Sequence, residues 1–164
     1  MKNFKLPLSC RLFLALFVAA MLSAGVLHAQ SALPFKATIA ITESIQPIGV
    51  APCILVGNIS GTGVATHLGK VTLVSSDCIN PISATAFSFS SNQLVLTVTE
   101  ADKIFATYNG VLTAEGAVGV ITGGYQIVGG TGRYSQATGA GTVQGVEDMS
   151  TGKGLVQLTG TLSY

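Results

Sequence analysis

The sequence predicts an all-β protein, a small closed antiparallel β-barrel of about eight strands. Apolar and polar residues alternate with a period of two through much of the chain after Leu33. Residues 121–145 are dense in glycine, which suits strands that bend sharply or lie close to another strand. No segment carries a sustained apolar repeat at helical spacing, so helix is confined to at most one turn near residues 131–137.

A barrel is favoured because closing a sheet of this size removes its unpaired edges. A β-sandwich is the alternative. A barrel of about eight strands either fills its interior with side chains or leaves room for one small ligand. Residues 30–164 are expected to form this single domain, since their length suits one core.

Residues 35–45 form the first predicted strand, because Phe35, Ala37, Ile39 and Ile41 share one face. Further strands are predicted, in chain order, at residues 54–60, 64–68, 70–76, 83–90, 94–98, 104–108 and 111–115, on both arms of residues 121–145, and at residues 155–164.

Turn signals separate these strands. Residues 46–52 contain two prolines and a glycine and predict a loop. Gly61-Thr62-Gly63 predicts a turn or a bulge. Asn109-Gly110 is the strongest two-residue hairpin signal in the chain and predicts a tight turn.

Residues 1–29 are expected to be a signal peptide. Lys2, Lys5 and Arg11 flank the start of an uncharged apolar run at residues 12–26, which is short for a membrane-spanning helix. Ala29 supplies a small residue before the cleavage site. A secreted or periplasmic location follows, with no membrane span after cleavage; an uncleaved membrane anchor is the alternative.

Removing the signal peptide changes the net charge from +1 to −2, because five cations then stand against seven acids. The remaining chain has no basic stripe of the kind that binds phosphates. Nucleic acid is therefore not an expected partner.

Cys53 and Cys78 remain after cleavage, an even number in a chain expected to enter an oxidising compartment. We expect them to form a disulfide bond. It would close a loop of about 26 residues and contribute about 3 kcal/mol in the chain-entropy model. Two buried free thiols are the alternative.

Motifs for cofactor and metal chemistry are weak. The glycine patterns lack the spacing of a dinucleotide-binding loop or a Walker loop, so no cofactor is expected. His67 is the only histidine after cleavage, which excludes a His-rich zinc site. Glu100 and Asp102 could act as paired carboxylates in sugar chemistry, although a solvated hairpin tip explains them more simply.

Four side chains are candidates for a ligand-binding site: Tyr108, Glu115, Arg133 and Tyr134. Tyrosine and glutamate are polar groups able to reach a pocket, and Arg133 could hold a ligand carboxylate through two hydrogen bonds. A structural role for Arg133 at one end of the barrel is the alternative. No catalytic residue and no metal ligand is assigned.

The segment Gly129-Gly130-Thr131-Gly132-Arg133-Tyr134, followed by Ala137, Gly139 and Gly141, resembles the GGTGRF-x-x-A-x-G signature of the dirigent and allene oxide cyclase barrel group. Residues 63–70 and 160–164 resemble further segments of its secreted bacterial members. The resemblance implies an eight-stranded antiparallel barrel and a possible homo-oligomer. In plants it implies either a cyclase acting on an unstable epoxide or a protein that steers radical coupling.

Three functions follow as alternatives. The first is a non-catalytic barrel that binds a small apolar ligand or serves as a structural module. The second is a cyclase-like or dirigent-like enzyme that holds a reactive intermediate in its cavity. The third is a small outer-membrane barrel, suggested by the alternation and terminal aromatic residue of the last strand.

Overall fold

The computed structural model describes residues 31–164, so the expected signal peptide lies outside the described residues. The described chain is all-β, with one short 3₁₀ turn at Gly132–Tyr134 where a helical turn was predicted. No helix in this part of the chain is long and apolar enough to cross a membrane. The strands are β1 (Leu33–Val50), β2 (Cys53–Ala65), β3 (Gly69–Pro81), β4 (Ala86–Thr97), β5 (Lys103–Glu115), β6 (Val118–Gly130), β7 (Gly139–Asp148) and β8 (Lys153–Leu162).

The eight strands form one closed antiparallel barrel, which confirms the predicted fold and excludes the sandwich. Each strand pairs with the next along the chain, and β1 also pairs with β8 from Leu33↔Leu162 to Thr42↔Lys153. We call the end with the β1–β2, β3–β4, β5–β6 and β7–β8 connections the upper end. The opposite end, where β1 begins and β8 finishes, is the lower end.

The lower half of the barrel is closely packed. Phe35, Ile39, Ile104 and Leu162 point inward there and are at most 2 % exposed. Tyr134, from the 3₁₀ turn, is fully buried beneath them and contacts the ring of Tyr164 edge-on, with 4.9 Å between ring centroids. Each such side chain contributes about 1.5–3 kcal/mol through the hydrophobic effect, so the lower end is a filled core.

The glycine-rich residues 121–145 cross the lower end as β6, the 3₁₀ turn and β7. Thr131 fixes this connection to the β4–β5 loop. Its Oγ1 donates to the carbonyl oxygen of Ala101 at 2.7 Å and accepts from the backbone N–H of Lys103 at 3.1 Å. Gly132 then takes a φ of +58°, a left-handed conformation that favours glycine.

Cys53 and Cys78 form the predicted disulfide bond, with their Cα atoms 5.0 Å apart. The bond joins the start of β2 to the upper part of β3. Here the β1–β2 hairpin extends beyond β8, since β1 pairs with β2 as far as Val50 but with β8 only as far as Thr42. The disulfide therefore fixes the extension to its other neighbour, β3.

Three predicted turns are wrong. Asn109-Gly110 lies within β5, Gly61-Thr62-Gly63 lies within β2, and most of residues 46–52 continue β1 as far as Val50. Gly110 is needed inside the barrel because an added Cβ would overlap the backbone of Thr122 and the ring of Phe89. Glycine stands at position 110 because of close packing across the interior of the barrel, and not because the chain reverses there.

Replacing Gly110 by alanine is expected to destabilise the protein by at least about 2 kcal/mol, because the new methyl group overlaps backbone that cannot move away. The matched control is Gly124→Ala, whose Cβ would meet its nearest neighbour at 3.5 Å. Urea unfolding followed by circular dichroism measures both. Equal stability of the two variants would contradict this account of Gly110.

Candidate functional site

A cavity of about 70 Å³ occupies the upper half of the barrel. Its walls are mostly aliphatic and aromatic side chains, with four polar ones among them. The lining residues are Ile41, Glu43, Ile59, Leu73, Asp77, Phe89, Leu94, Tyr108, Leu112, Ile121, Val143, Glu147, Val156 and Leu158. All eight strands contribute, so the cavity is a property of the closed sheet.

Glycine at inward positions makes room for the larger side chains of this half. A Cβ on Gly57 would overlap Glu43 Oε1, so the Glu43 side chain occupies the space that Gly57 leaves free. The ring of Phe89 likewise occupies the space that Gly110 leaves free. The cavity and its polar groups therefore depend on where glycine falls on the inner face.

Three carboxyl groups reach the cavity: Glu43 from β1, Asp77 from β3 and Glu147 from β7. Asp77 is 5 % exposed and Glu147 is 3 % exposed, whereas Glu43 is half-buried. Buried carboxyl groups are rare unless they are paired or hydrogen-bonded. Their presence among apolar side chains makes this the candidate functional site.

Asp77 belongs to a buried hydrogen-bond network. The hydroxyl of Tyr108 donates to Asp77 Oδ1, and Ser75 Oγ lies 2.7 Å from the Tyr108 hydroxyl and 3.0 Å from Ser91 Oγ. Ser91 Oγ in turn donates to the carbonyl oxygen of Ser76 at 2.7 Å. Burial raises the pKa of Asp77 to about 6, although the hydrogen bond from Tyr108 opposes this rise.

Glu43 and Glu147 form a second group, which lacks a hydrogen-bond network like the one around Asp77. Burial raises the pKa of Glu43 to about 8, and the neighbouring Glu147 carboxyl adds to this rise. Burial also raises the pKa of Glu147, against a hydrogen bond with Glu43. Glu43 Oε1 and Glu147 Oε2 are buried and have no hydrogen-bond partner among the described residues.

Of the four candidate residues from the sequence, Tyr108 lines the cavity. Glu115 is exposed where β5 ends, at the upper rim of the barrel. Arg133 and Tyr134 lie at the lower end, away from the cavity walls. The structure thus brings none of the other three into contact with Tyr108 at the cavity.

Arg133 forms an ion pair with Asp102 at the lower end. Its Nε donates to Asp102 Oδ2 at 2.9 Å, and its backbone N–H donates to Asp102 Oδ1 at 3.0 Å. These bonds, the backbone one first, hold the pKa of Asp102 below its usual range. The neighbouring Tyr134 hydroxyl is buried and has no hydrogen-bond partner in the described chain.

The remaining sequence candidates lie on the surface. His67 has a positive φ of 65° in the β2–β3 turn, and its Nε2 lies 3.0 Å from the carbonyl oxygen of Pro34. Glu100 is exposed in the β4–β5 loop with Asp102. Within residues 31–164, no group of three or more His, Cys, Asp or Glu side chains is placed to hold a metal ion.

Sequence reasoning missed Glu43, Asp77 and Glu147. Each continues an inward-facing row on its own strand: Glu43 follows Ile39 and Ile41, Asp77 follows Leu73 and Ser75, and Glu147 follows Val143 and Gly145. An acid at the next alternate position of an apolar row was a readable signal.

Comparisons with protein-family models, with curated proteins and with solved structures found no match for this chain. The resemblance to the dirigent and allene oxide cyclase group therefore stays a prediction from sequence.

We predict that the protein becomes less stable as the pH rises from about 5 to about 8. Glu43 and Asp77 have raised pKa values in the fold, so the folded state binds more protons than the unfolded state across this window. Their contribution is fully present below the ordinary carboxyl pKa and is lost as the pH rises through about 6 and then about 8. After allowance for solvent screening we expect a loss of about 1–2 kcal/mol.

Thermal unfolding followed by circular dichroism at a series of pH values measures this loss. Glu43→Gln should flatten the curve between pH 6 and pH 8, because the substituted side chain no longer titrates. Glu100→Gln, which removes an exposed carboxyl group, should keep the wild-type slope. A melting temperature that stays constant or rises over this interval in the wild type would contradict the assignment.

Proposed function

We propose that this protein is a small exported barrel that binds a small, mainly apolar molecule in its upper cavity. The cavity itself supports the proposal: ten of its fourteen lining side chains are aliphatic or phenylalanine, and its polar groups are few. Apolar walls with a small number of placed polar groups are typical of small-molecule sites. A purely structural module would have no need of an unfilled interior with buried acids.

The size of the cavity restricts the ligand. Its volume of about 70 Å³ is roughly half that of an engineered cavity of ~150 Å³ that binds benzene. A molecule of about four heavy atoms fits without rearrangement, on the order of 20 Å³ for each. Glu43, Ile59 and Leu112 are the lining side chains that are only half-buried, so they are the ones that would move to admit a larger ligand.

A secreted or periplasmic location is part of this proposal. The disulfide bond between Cys53 and Cys78 supports it, because such bonds persist mainly in oxidising compartments. The outer face of the barrel argues against burial in lipid. Exposed Lys36, Thr42, Gln144 and Gln157 face outward on three adjacent strands, where an outer-membrane barrel needs an apolar band.

The proposal predicts that 1-propanol binds inside the barrel. In a ¹H–¹⁵N NMR titration, the largest shift changes should fall on the strand segments around Ile121, Val143 and Leu158. Val143→Phe fills the cavity and should abolish these changes, at a cost of about 1–3 kcal/mol in stability. Val128→Phe, the same substitution at a position that is 56 % exposed, should leave them intact. Weak shifts spread over the surface of the wild type, and unchanged in Val143→Phe, would refute binding in the cavity.

An enzyme of the cyclase-like or dirigent-like kind is the second candidate, and the state of Glu43 favours it. A pKa of about 8 keeps this carboxyl protonated at neutral pH, next to an apolar space. A protonated acid in that position can donate to an epoxide or carbonyl oxygen as a general acid. The sequence resemblance to the dirigent and allene oxide cyclase group adds to this candidate.

Incubation with a small unsaturated epoxide, followed by chiral chromatography of the products, tests the enzyme. An excess of one enantiomer over the racemic product of the buffer reaction is the expected result, with a rate about 100-fold lower in Glu43→Gln. Glu100→Gln should match the wild type. Racemic product at the buffer rate would exclude this candidate.

A further inference from the structure

The carboxyl pair of Glu43 and Glu147 contains two buried oxygens that no group in residues 31–164 satisfies. Glu147 is 3 % exposed and lines the cavity, and its Oε2 has no hydrogen-bond partner in the part of the chain that the structure describes. Glu43 Oε1 is also buried and has no hydrogen-bond partner among the described residues. Native proteins rarely leave buried polar atoms unpaired, so these oxygens point to a donor that occupies the cavity.

No positively charged side chain of the described chain supplies that donor. The other titratable groups facing the pair are Asp77 from β3 and Tyr108 from β5, both already hydrogen-bonded to each other. Strands β2, β4, β6 and β8 present only apolar side chains to the cavity. Asp148, beside Glu147, adds further negative charge, and Lys153 across from it is exposed on the outer face.

We propose that the ligand of this cavity is a small organic cation, with an ammonium group that binds between Glu43 and Glu147 and an apolar body that lies against the barrel wall. This inference rests on the proposed ligand-binding function and names its ligand class. An ammonium group has three N–H donors and a positive charge, which match two unpaired carboxyl oxygens. A neutral apolar ligand would fill the space and leave both oxygens without a donor.

Binding of the cation replaces the proton that Glu43 holds in the empty barrel. The proton leaves to solvent as the ammonium group enters, so charge in the cavity stays balanced. Affinity for an alkylammonium ion should therefore rise with pH toward about 8, where Glu43 loses its proton. The ligand itself remains charged over this range, since alkylammonium groups have pKa values near that of lysine, about 10.4.

Propylamine and 1-propanol are matched probes, because both have four heavy atoms and differ only in the polar group. We expect ¹H–¹⁵N NMR titration of the full protein at pH 8 to show at least roughly ten-fold tighter binding of propylamine. The preference should fall several-fold at pH 6 as the pair takes up its proton, whereas the affinity for 1-propanol should stay constant. This pH comparison uses only the wild type and does not depend on the folding of any variant.

Substitutions then locate the charge. Glu147→Gln and Glu43→Gln should each bring propylamine to within about three-fold of 1-propanol, and the exposed control Glu100→Gln should keep the full preference. Equal binding of both probes by the wild type would overturn the cation inference and leave the ligand-binding function standing. Binding of neither probe would overturn both. An unchanged preference in Glu147→Gln would also refute the site, since the charge would then lie elsewhere.

Discussion

The pairing of β1 with β8 is the constraint on which the rest of the molecule depends. Ten consecutive register pairs, from Leu33↔Leu162 to Thr42↔Lys153, join the first strand to the last and convert an open sheet into a barrel. Once the sheet is closed, every second residue of each strand faces one shared interior. Side chains from β1, β3, β5 and β7 that are far apart in sequence thereby meet around one cavity. Glu43 and Glu147 are neighbours only because the sheet is closed.

In a closed barrel, the size of the inward-facing side chains determines how much of the interior stays empty. The lower and upper halves differ in the size of these side chains. In the lower half, Phe35, Ile104, Leu162 and Tyr134 are at most 2 % exposed and form a core, and the ion pair of Arg133 with Asp102 lies outside this core. In the upper half, inward glycines such as Gly57 and Gly110 leave room that Glu43 and Phe89 only partly occupy. One barrel therefore combines a stable core with a site, and the two do not compete for the same residues. Buried acids in the upper half cost stability that the packed lower half can offset.

The sequence was sufficient for the fold class, the disulfide bond and the short 3₁₀ turn, because alternation, cysteine number and glycine density are local or countable features. It was insufficient for turns such as Asn109-Gly110, since a glycine that clears space for Phe89 across the barrel looks the same in sequence as a glycine that reverses the chain. The residues of the site could not be predicted from the sequence for a related reason. Tyr108 was a candidate, but its neighbours depend on strand register around the closed sheet, which no local pattern specifies. Arg133 and Tyr134 were candidate ligand-binding residues because of their motif, yet they lie at the opposite end of the barrel from the cavity.

The two kinds of buried acid in the upper half call for different explanations. Asp77 is supported by the hydroxyl of Tyr108 and by Ser75, so a role in fixing β3 against β5 accounts for it. Glu43 and Glu147 have no comparable donors in residues 31–164, and an apolar pair at the same positions would pack without their desolvation cost. Stability alone therefore does not explain why two glutamates stand there. The proposed cationic ligand would explain it, because its ammonium group donates to both carboxyl groups, which a ligand that is apolar throughout would not do. The unpaired oxygens thus restrict the chemistry of the proposed ligand more closely than the volume of the cavity does.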